Sequence, residues 1–251
     1  MGLARECGAR PFIMGNGTNL LIPDKGLDRL VIRTAGEMSD VRLTDETVIE
    51  ADAGISLSRL ALFAQSQALT GLEFAHGIPG SLGGAVFMNA GAYGGEMKQV
   101  VQEVIVLTED GIRHIPGAEC AFGYRKSAFT DGKTVILGAK LHLKKGDPAQ
   151  IRDKMAELMA KRKASQPLEY PSAGSTFKRP EGYYAGTLIQ ETGLKGLTVG
   201  GAQVSKKHAG FVINTGGATC ADVMALIGQV QDRVMQRSGV HLEPEVRIIE
   251  N

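Results

Sequence analysis

Three polar side chains stand in local contexts suited to chemistry. Ser175 lies in the run Ala173-Gly174-Ser175-Thr176-Phe177-Lys178-Arg179-Pro180. The glycine before it leaves its hydroxyl accessible and two cations follow, features that also describe a serine in a plain turn. Arg125, between Tyr124 and Lys126-Ser127, sits in a loop entering a strand, where a guanidinium either clamps a carboxylate or faces solvent. Glu245, between Pro244 and Val246, is either an acid partly buried at a strand start, its pKa raised towards that of a proton relay, or an exposed charge. His76 and His208 are lone histidines read as structural or peripheral.

Glycine supplies the second signal. The stretch His76 to Glu96 holds seven of the 33 glycines. Each would cost about 1 kcal/mol in a helix interior, so an irregular loop is expected. Such a loop lets backbone N–H groups approach a ligand with no Cβ in the way, which suits an anionic pyrophosphate; the alternative is a tightly packed crossover. A smaller turn, Gly15 to Leu21, fails as a dinucleotide fingerprint. Leu20 occupies the place of the third glycine, and Pro23 continues an extended segment where that fingerprint needs a helix. What remains is a turn that offers its N–H groups and the Asn16 and Asn19 side chains to a ligand, or one that is merely structural.

Composition narrows the classes. An apolar fraction of 43% with 22% charged residues is that of a globular chain able to bury one large core or two modest ones. A net charge of +1 implies no general attraction to nucleic acid or to an anionic membrane, so an anionic ligand must be met locally. The three cysteines, Cys7, Cys120 and Cys220, are far apart and in no metal-ligand spacing, as expected of reduced cytosolic thiols; no metal is expected. Without a long apolar run or a signal-peptide core near the first residues, the reading is a cytoplasmic protein with no membrane insertion. No Walker sequence, zincin helix, nucleophile elbow or paired CxxC occurs.

The elements that must position these residues alternate strands with occasional helices, which indicates α+β. Leu3 to Cys7 reads as a helical turn, and Pro11–Met14, 30–33, 41–44 and 48–51 as strands. Ser56 caps a helix with Leu57, Leu60, Ala61, Ala64 and Ala68 on one face, ending at Gly71. Strands 100–107 and 112–115 flank an Asp-Gly hairpin turn, and 135–143 forms another strand. Asp147-Pro148 opens a helix whose basic end, Lys161-Arg162-Lys163, reads as a solvated terminus. Gln166 to Pro171 is a linker, and a domain boundary is expected there. Beyond it come a short helix at 185–192, a strand at 210–214, a helix 222–237 with a Thr219/Asp222 capping box and a stop at Gly239, and a strand at 246–249.

Taken in order, GNGTNLL (15–21), GIPGSLGGAVFMNAGAYG (77–94), FGYRKSAF (122–129), YPSAGSTFKRP (170–180) and LEPEVRII (242–249) resemble the UDP-N-acetylenolpyruvoylglucosamine reductase family over essentially the whole chain. With no tyrosine-bearing insertion ahead of YPSAGSTF, the resemblance is to the shorter second type. It implies an α+β FAD-binding fold of the vanillyl-alcohol-oxidase type. Residues 1–33 would form a truncated first FAD subdomain, 34–165 with 240–251 the second, and 166–239 a small α+β substrate domain.

The resemblance further implies an FAD cradle of two halves. One comprises Gly15, Asn16, Gly17, Thr18, Asn19 and Leu20. The other comprises Gly77, Ile78, Pro79, Gly80, Ser81, Gly83, Gly84, Ala85, Asn89, Ala90, Gly91, Ala92 and Tyr93. The reaction implied is an oxidoreductase step of peptidoglycan synthesis, serving cell wall biogenesis, cell shape and cell division. Hydride passes from NADPH to FAD and then to the methylene carbon of a UDP-sugar enolpyruvyl ether, giving UDP-N-acetylmuramate. Ser175 matches the family's proton donor, and Arg125 and Glu245 the positions that stabilise the enolate-like intermediate. Tyr124, Lys178, Arg179 and Arg247 are expected contacts to the substrate diphosphate or carboxylate, in a monomer. Family members usually carry a further strand, helix and strand ahead of GNGTNLL. A chain lacking them would expose part of the FAD site and leave a sheet edge unpaired. Two alternatives follow: a flavin- or nucleotide-binding protein with impaired or no turnover, and another flavin oxidoreductase of the same fold.

Overall fold

The computed structural model describes residues 2–9 and 11–250. The chain divides into two compact units, Met1–Gly17 with Leu30–Arg162, and Thr18–Arg29 with Lys163–Asn251. This division falls at Arg162/Lys163, just before the linker read at Gln166, and residues 240–251 cluster with 163–239.

In the first unit, an antiparallel sheet runs in the order Gly111–Pro116, Val101–Thr108, Val135–His142, Val48–Asp52, Val41–Asp45. Alternating burial along Val48–Asp52 sends Ile49 and Ala51 into the core. The hairpin expected near residue 110 is present, but Gly111 pairs with Thr108, so Glu109 and Asp110 make the turn and Gly111 (φ 117°) follows it. A parallel pair, Phe12–Met14 with Val31–Arg33, is continued by the bond from Thr34 N to the Met14 carbonyl (2.9 Å), and it delivers the chain to Gly15.

Helix α1 (Gly2–Glu6) precedes that pair. Helix α2 (Leu57–Ser66) is capped by Ser56, whose hydroxyl accepts from Arg59 N (3.2 Å), and it buries Leu57, Leu60, Ala61 and Ala64 as the spacing predicts. Fully burying one such leucine stabilises the unit by about 1.5–3 kcal/mol. The helix stops at Ser66 rather than near Gly71. Ala68 turns left-handed (φ 56°) and Leu69–Thr70 pairs with Lys144–Lys145, because the strand partner outweighs the periodicity that had placed Ala68 on the helix face.

The glycine-rich stretch departs most from expectation. Within it, Leu82–Phe87 is a helix, α3, and Gly91–Ala92 pairs with Gly95–Glu96. Tertiary packing overrides glycine's poor propensity here. Leu82 and Val86 are fully buried, and a Cβ on Gly83 would stand 2.9 Å from the Ala53 Cβ, so only glycine allows this approach. Helix α4 (Pro148–Ser165) is capped by Asp147, which accepts from Gln150 N (2.9 Å), and it buries Ile151, Met155 and Leu158.

The second unit is built on an antiparallel sheet in the order Ser172–Ser175, Phe211–Asn214, Ala202–Val204, Thr198–Val199. Helices α5 (Ala185–Glu191) and α6 (Cys220–Ser238) bury Ile189, Leu226, Val230 and Val234 in its core. The expected capping box is formed. Asp222 N donates to Thr219 Oγ1 and Thr219 N to the Asp222 carboxylate, both at 3.0 Å, and Gly239 (φ 68°) ends the helix. Arg247–Ile248 pairs in parallel with Leu20–Leu21. No helix among the described residues is long and apolar enough to cross a membrane.

Candidate functional site

Within the first unit the two glycine-rich turns meet. A Cβ on Gly15 would lie 2.2 Å from Ser81 Oγ and 3.9 Å from Gly84 N. Ser81, the residue before α3, is 1% exposed, and its hydroxyl has no hydrogen-bond partner among the described residues. A buried hydroxyl in that condition costs about 1–3 kcal/mol, so this one fits a polar ligand group placed against it.

The amides of the stretch are fewer than its glycines promise. Gly80 N donates to the Ile78 carbonyl (2.9 Å), Leu82 N to Ile55 (2.9 Å), Gly83 N to Ala53 (2.8 Å), and Ala85 N to Ser81 (2.9 Å). Gly77, Ser81 and Gly84 keep N–H groups without an acceptor among the described residues, and Gly84 is exposed. Ile78 packs on the core, and Ala85 is buried in it. Packing thus explains several residues of the expected cradle, while Gly15, Ser81 and Gly84 form a group with donors to offer. Asn16 Oδ1 accepts from Arg33 (3.3 Å).

In the second unit, the first turn continues into the last strand. Arg247 N donates to the Asn19 carbonyl (3.0 Å), Asn19 Nδ2 to the Glu245 carbonyl (3.1 Å), and Leu20 faces Arg247 in register. Glu245 N in turn donates to the Thr176 carbonyl (2.8 Å), which sets the backbone of Glu245 against the residue that follows Ser175. Ser175 is exposed at a strand end opposite Phe211, so it is a strand residue rather than a turn serine, and Glu245 and Arg247 are half-buried. Burial pushes the Arg247 pKa down. Lys178 is ion-paired with Glu243. Arg179 lies 4.0 Å over the Tyr184 ring and donates from Nε to the Tyr183 carbonyl (3.3 Å).

Arg125 occupies the third position of the tight turn Gly123–Lys126, with φ 55°. That left-handed backbone costs a non-glycine residue about 1–2 kcal/mol, so the surroundings must hold it. Its Nη2 donates to the Gly91 carbonyl (3.2 Å), and its guanidinium is 5.1 Å from the Tyr124 ring centroid. Ser127 Oγ donates to the Phe87 carbonyl (2.8 Å). Arg125 is therefore anchored to the glycine-rich stretch itself.

Arg162, expected at a solvated helix terminus, is instead half-buried. Its side chain is half-buried against Gly77, where a Cβ would meet its Cδ at 3.1 Å, and it stands near Tyr93. It has no ion-pair or hydrogen-bond partner among the described residues, and burial lowers its pKa while Tyr93 acts the other way. The signal available was its position one residue from Lys161, which points instead to Glu157 (2.5 Å). His76 approaches Ser58 Oγ (3.4 Å), and His208, its pKa lowered by burial, packs edge-on against Phe211. No cluster of three metal-ligating side chains occurs among the described residues.

Residues 1–115 match the family model "FAD binding domain", and residues 166–249 match "UDP-N-acetylenolpyruvoylglucosamine reductase, C-terminal domain". The reductase of that name from Caldanaerobacter subterraneus is 51% identical over 241 residues, 95% of this chain and 78% of the relative. The one from Pediococcus pentosaceus is 51% identical over 247 residues, covering 98% and 82%. The chain belongs to the UDP-N-acetylenolpyruvoylglucosamine reductase family. The crystal structure of the Thermus caldophilus reductase, 38% identical, matches with a TM-score of 0.87 over 99% of this chain and 88% of that one. The fold is accordingly the family's α+β FAD-binding fold with a small additional domain, as the motifs predict.

Proposed function

We propose that this protein reduces UDP-N-acetylglucosamine enolpyruvate to UDP-N-acetylmuramate with FAD and NADPH, as a cytoplasmic monomer serving peptidoglycan precursor synthesis and, through it, cell shape and division. Family membership supports the reaction. The observation that supports the site is the bond from Glu245 N to the Thr176 carbonyl, which pairs the backbone of Glu245 with the residue that follows Ser175.

FAD, when bound, supplies the two-electron carrier between NADPH and the enolpyruvyl ether. Ser81 Oγ, with the N–H groups of Ser81 and Gly84, would hold an anionic part of it beneath Gly15. Arg162 is proposed as a further cationic contact on the Gly77 side. Arg125 as a cation and Glu245 as a protonated acid are proposed to stabilise the enolate-like charge that develops once the methylene carbon has been reduced. Ser175 Oγ gives its proton to the adjoining carbon; a serine serves there because that centre is strongly basic and the hydroxyl is already positioned. Tyr124, Lys178, Arg179 and Arg247 are proposed substrate contacts, Lys178 after release from Glu243. By this reading residues 1–33 and 34–165 with 240–251 carry the flavin subdomains and residues 166–239 the substrate domain.

The test is spectroscopic. Purified protein with FAD should stay yellow after desalting, bleach anaerobically with NADPH, and regain colour with UDP-N-acetylglucosamine enolpyruvate. A bleached protein that this substrate leaves colourless would sink the assignment. No observation favours a flavin protein without turnover or a different oxidoreductase.

A further inference from the structure

We infer that Asn89 is a positioning residue for Arg125, its carboxamide fixing the turn that presents the guanidinium. The inference deepens the role proposed for Arg125 and rests on that reading. Asn89 is 0% exposed. Its Nδ2 donates to Glu96 Oε2 (2.9 Å) and to the Gly123 carbonyl (3.0 Å), and its Oδ1 accepts from Lys98 N (2.9 Å). Both amide hydrogens are thereby committed to the protein, so in Asn89, which the resemblance places in the FAD cradle, the side chain works between segments of the chain and only the backbone is left to face a ligand.

The contact to Gly123 is the informative one. Gly123 opens the turn, and its carbonyl also accepts from Lys126 N (3.3 Å), so Asn89 takes that oxygen's second lone pair and pins the turn from outside. Two residues beyond Asn89, the Gly91 carbonyl accepts from Arg125 Nη2 (3.2 Å). The backbone of the arginine and the direction of its side chain are therefore both referred to residues 89–91. Aspartate is isosteric and tolerates the left-handed backbone seen here (φ 42°), yet it has no hydrogen to give Gly123 or Glu96 unless protonated. Glutamine is one methylene too long for a site with no exposed surface.

Asn89→Asp separates positioning from general structure. Limited trypsin digestion at about pH 8, where the carboxylate is charged, should cut after Arg125 and Lys126 roughly tenfold faster than in the wild type, with cuts after Lys144 and Arg233 unchanged. In the FAD-loaded variant, reduction by NADPH should stay within about threefold of wild type. Reoxidation by the enolpyruvyl substrate should slow about tenfold at pH 8 and recover in part in acid, where a protonated aspartate has one hydrogen to give to Gly123 or Glu96 in place of the amide's two. Faster cutting at every site, unchanged cutting after Arg125, equal slowing of both half-reactions, or no recovery in acid would each overturn the inference. Should the aspartate variant not fold, Asn89→Gly, which keeps the backbone and removes the amide, goes through the same digestion and half-reactions, with acid giving no recovery. If the wild type is itself not reoxidised, the parent reading fails, and the digestion pattern alone decides for or against Asn89.

Discussion

Gly15 and Ser81 approach so closely that a Cβ on the first would overlap the hydroxyl of the second, at 2.2 Å, while lying an ordinary 3.5 Å from its Cβ. The conflict is thus with one rotatable oxygen and not with the backbone. Gly15→Ala should fold, turn the Ser81 hydroxyl away, and lose about 1 kcal/mol of FAD affinity, the worth of one hydrogen bond. Flavin titration should show Kd rising about five- to tenfold with Tm within a few degrees of wild type. Unchanged affinity would remove Ser81 from the cradle.

Ser175→Ala should leave reduction by NADPH near normal and slow the substrate-driven half-reaction by about 10²–10⁴, the usual worth of a positioned proton donor. Stopped-flow absorbance resolves the two phases. Equal loss of both would contradict the assigned role.

Arg162→Met should weaken FAD retention while keeping or raising thermal stability. A half-buried guanidinium with no partner among the described residues has lost hydration without regaining it, and methionine fills similar volume with no charge to desolvate. Thermal melts of the FAD-free variant and a flavin titration check the two halves separately; a large fall in Tm would show the arginine to be structural.

On the first unit's sheet, Glu103 Oε1 takes hydrogen bonds from His114 Nδ1 (2.8 Å) and Lys140 Nζ (2.9 Å). These hold the Glu103 carboxyl below its ordinary value of 4.5. Its folded-state pKa is depressed, so its contribution is present above the ordinary value and is lost as pH falls through the lowered one. Glu103→Gln should therefore cost less than about 1 kcal/mol near neutrality, a partly exposed cluster being screened, and nothing once the wild-type carboxyl is protonated. Chemical denaturation of both proteins across the acid range measures the difference.

Regular elements were legible wherever a local rule agreed with the packing. The Thr219/Asp222 box announced α6, and the spacing of Leu57, Leu60, Ala61 and Ala64 announced the buried face of α2. Helix α3 was hidden because the glycines that argue against it locally are what admit Ala53 to its surface. The end of α2 was hidden because Ala68 fits the helical face yet leaves the helix to pair beyond it. Ser175 and Glu245 carried local hints, but the backbone pairing of Glu245 with Thr176, the residue after Ser175, joins positions far apart along the chain. Arg162 shows the limit for charges: Lys161 and Arg162 adjoin in sequence, and only the direction each takes from the helix separates a solvent ion pair from a half-buried cation.

The pairing of Leu20–Leu21 with Arg247–Ile248 fixes an order of assembly. Asn19 and Glu245, which bond in the same place, are separated by 226 positions. During synthesis the early strand must wait for almost the whole chain before its partner exists, and closing so long a loop is slow. The neighbourhood of Glu245 is consequently among the last parts of its unit to form. A ribosome-bound chain halted before residue 247 would carry the first glycine turn without its strand partner.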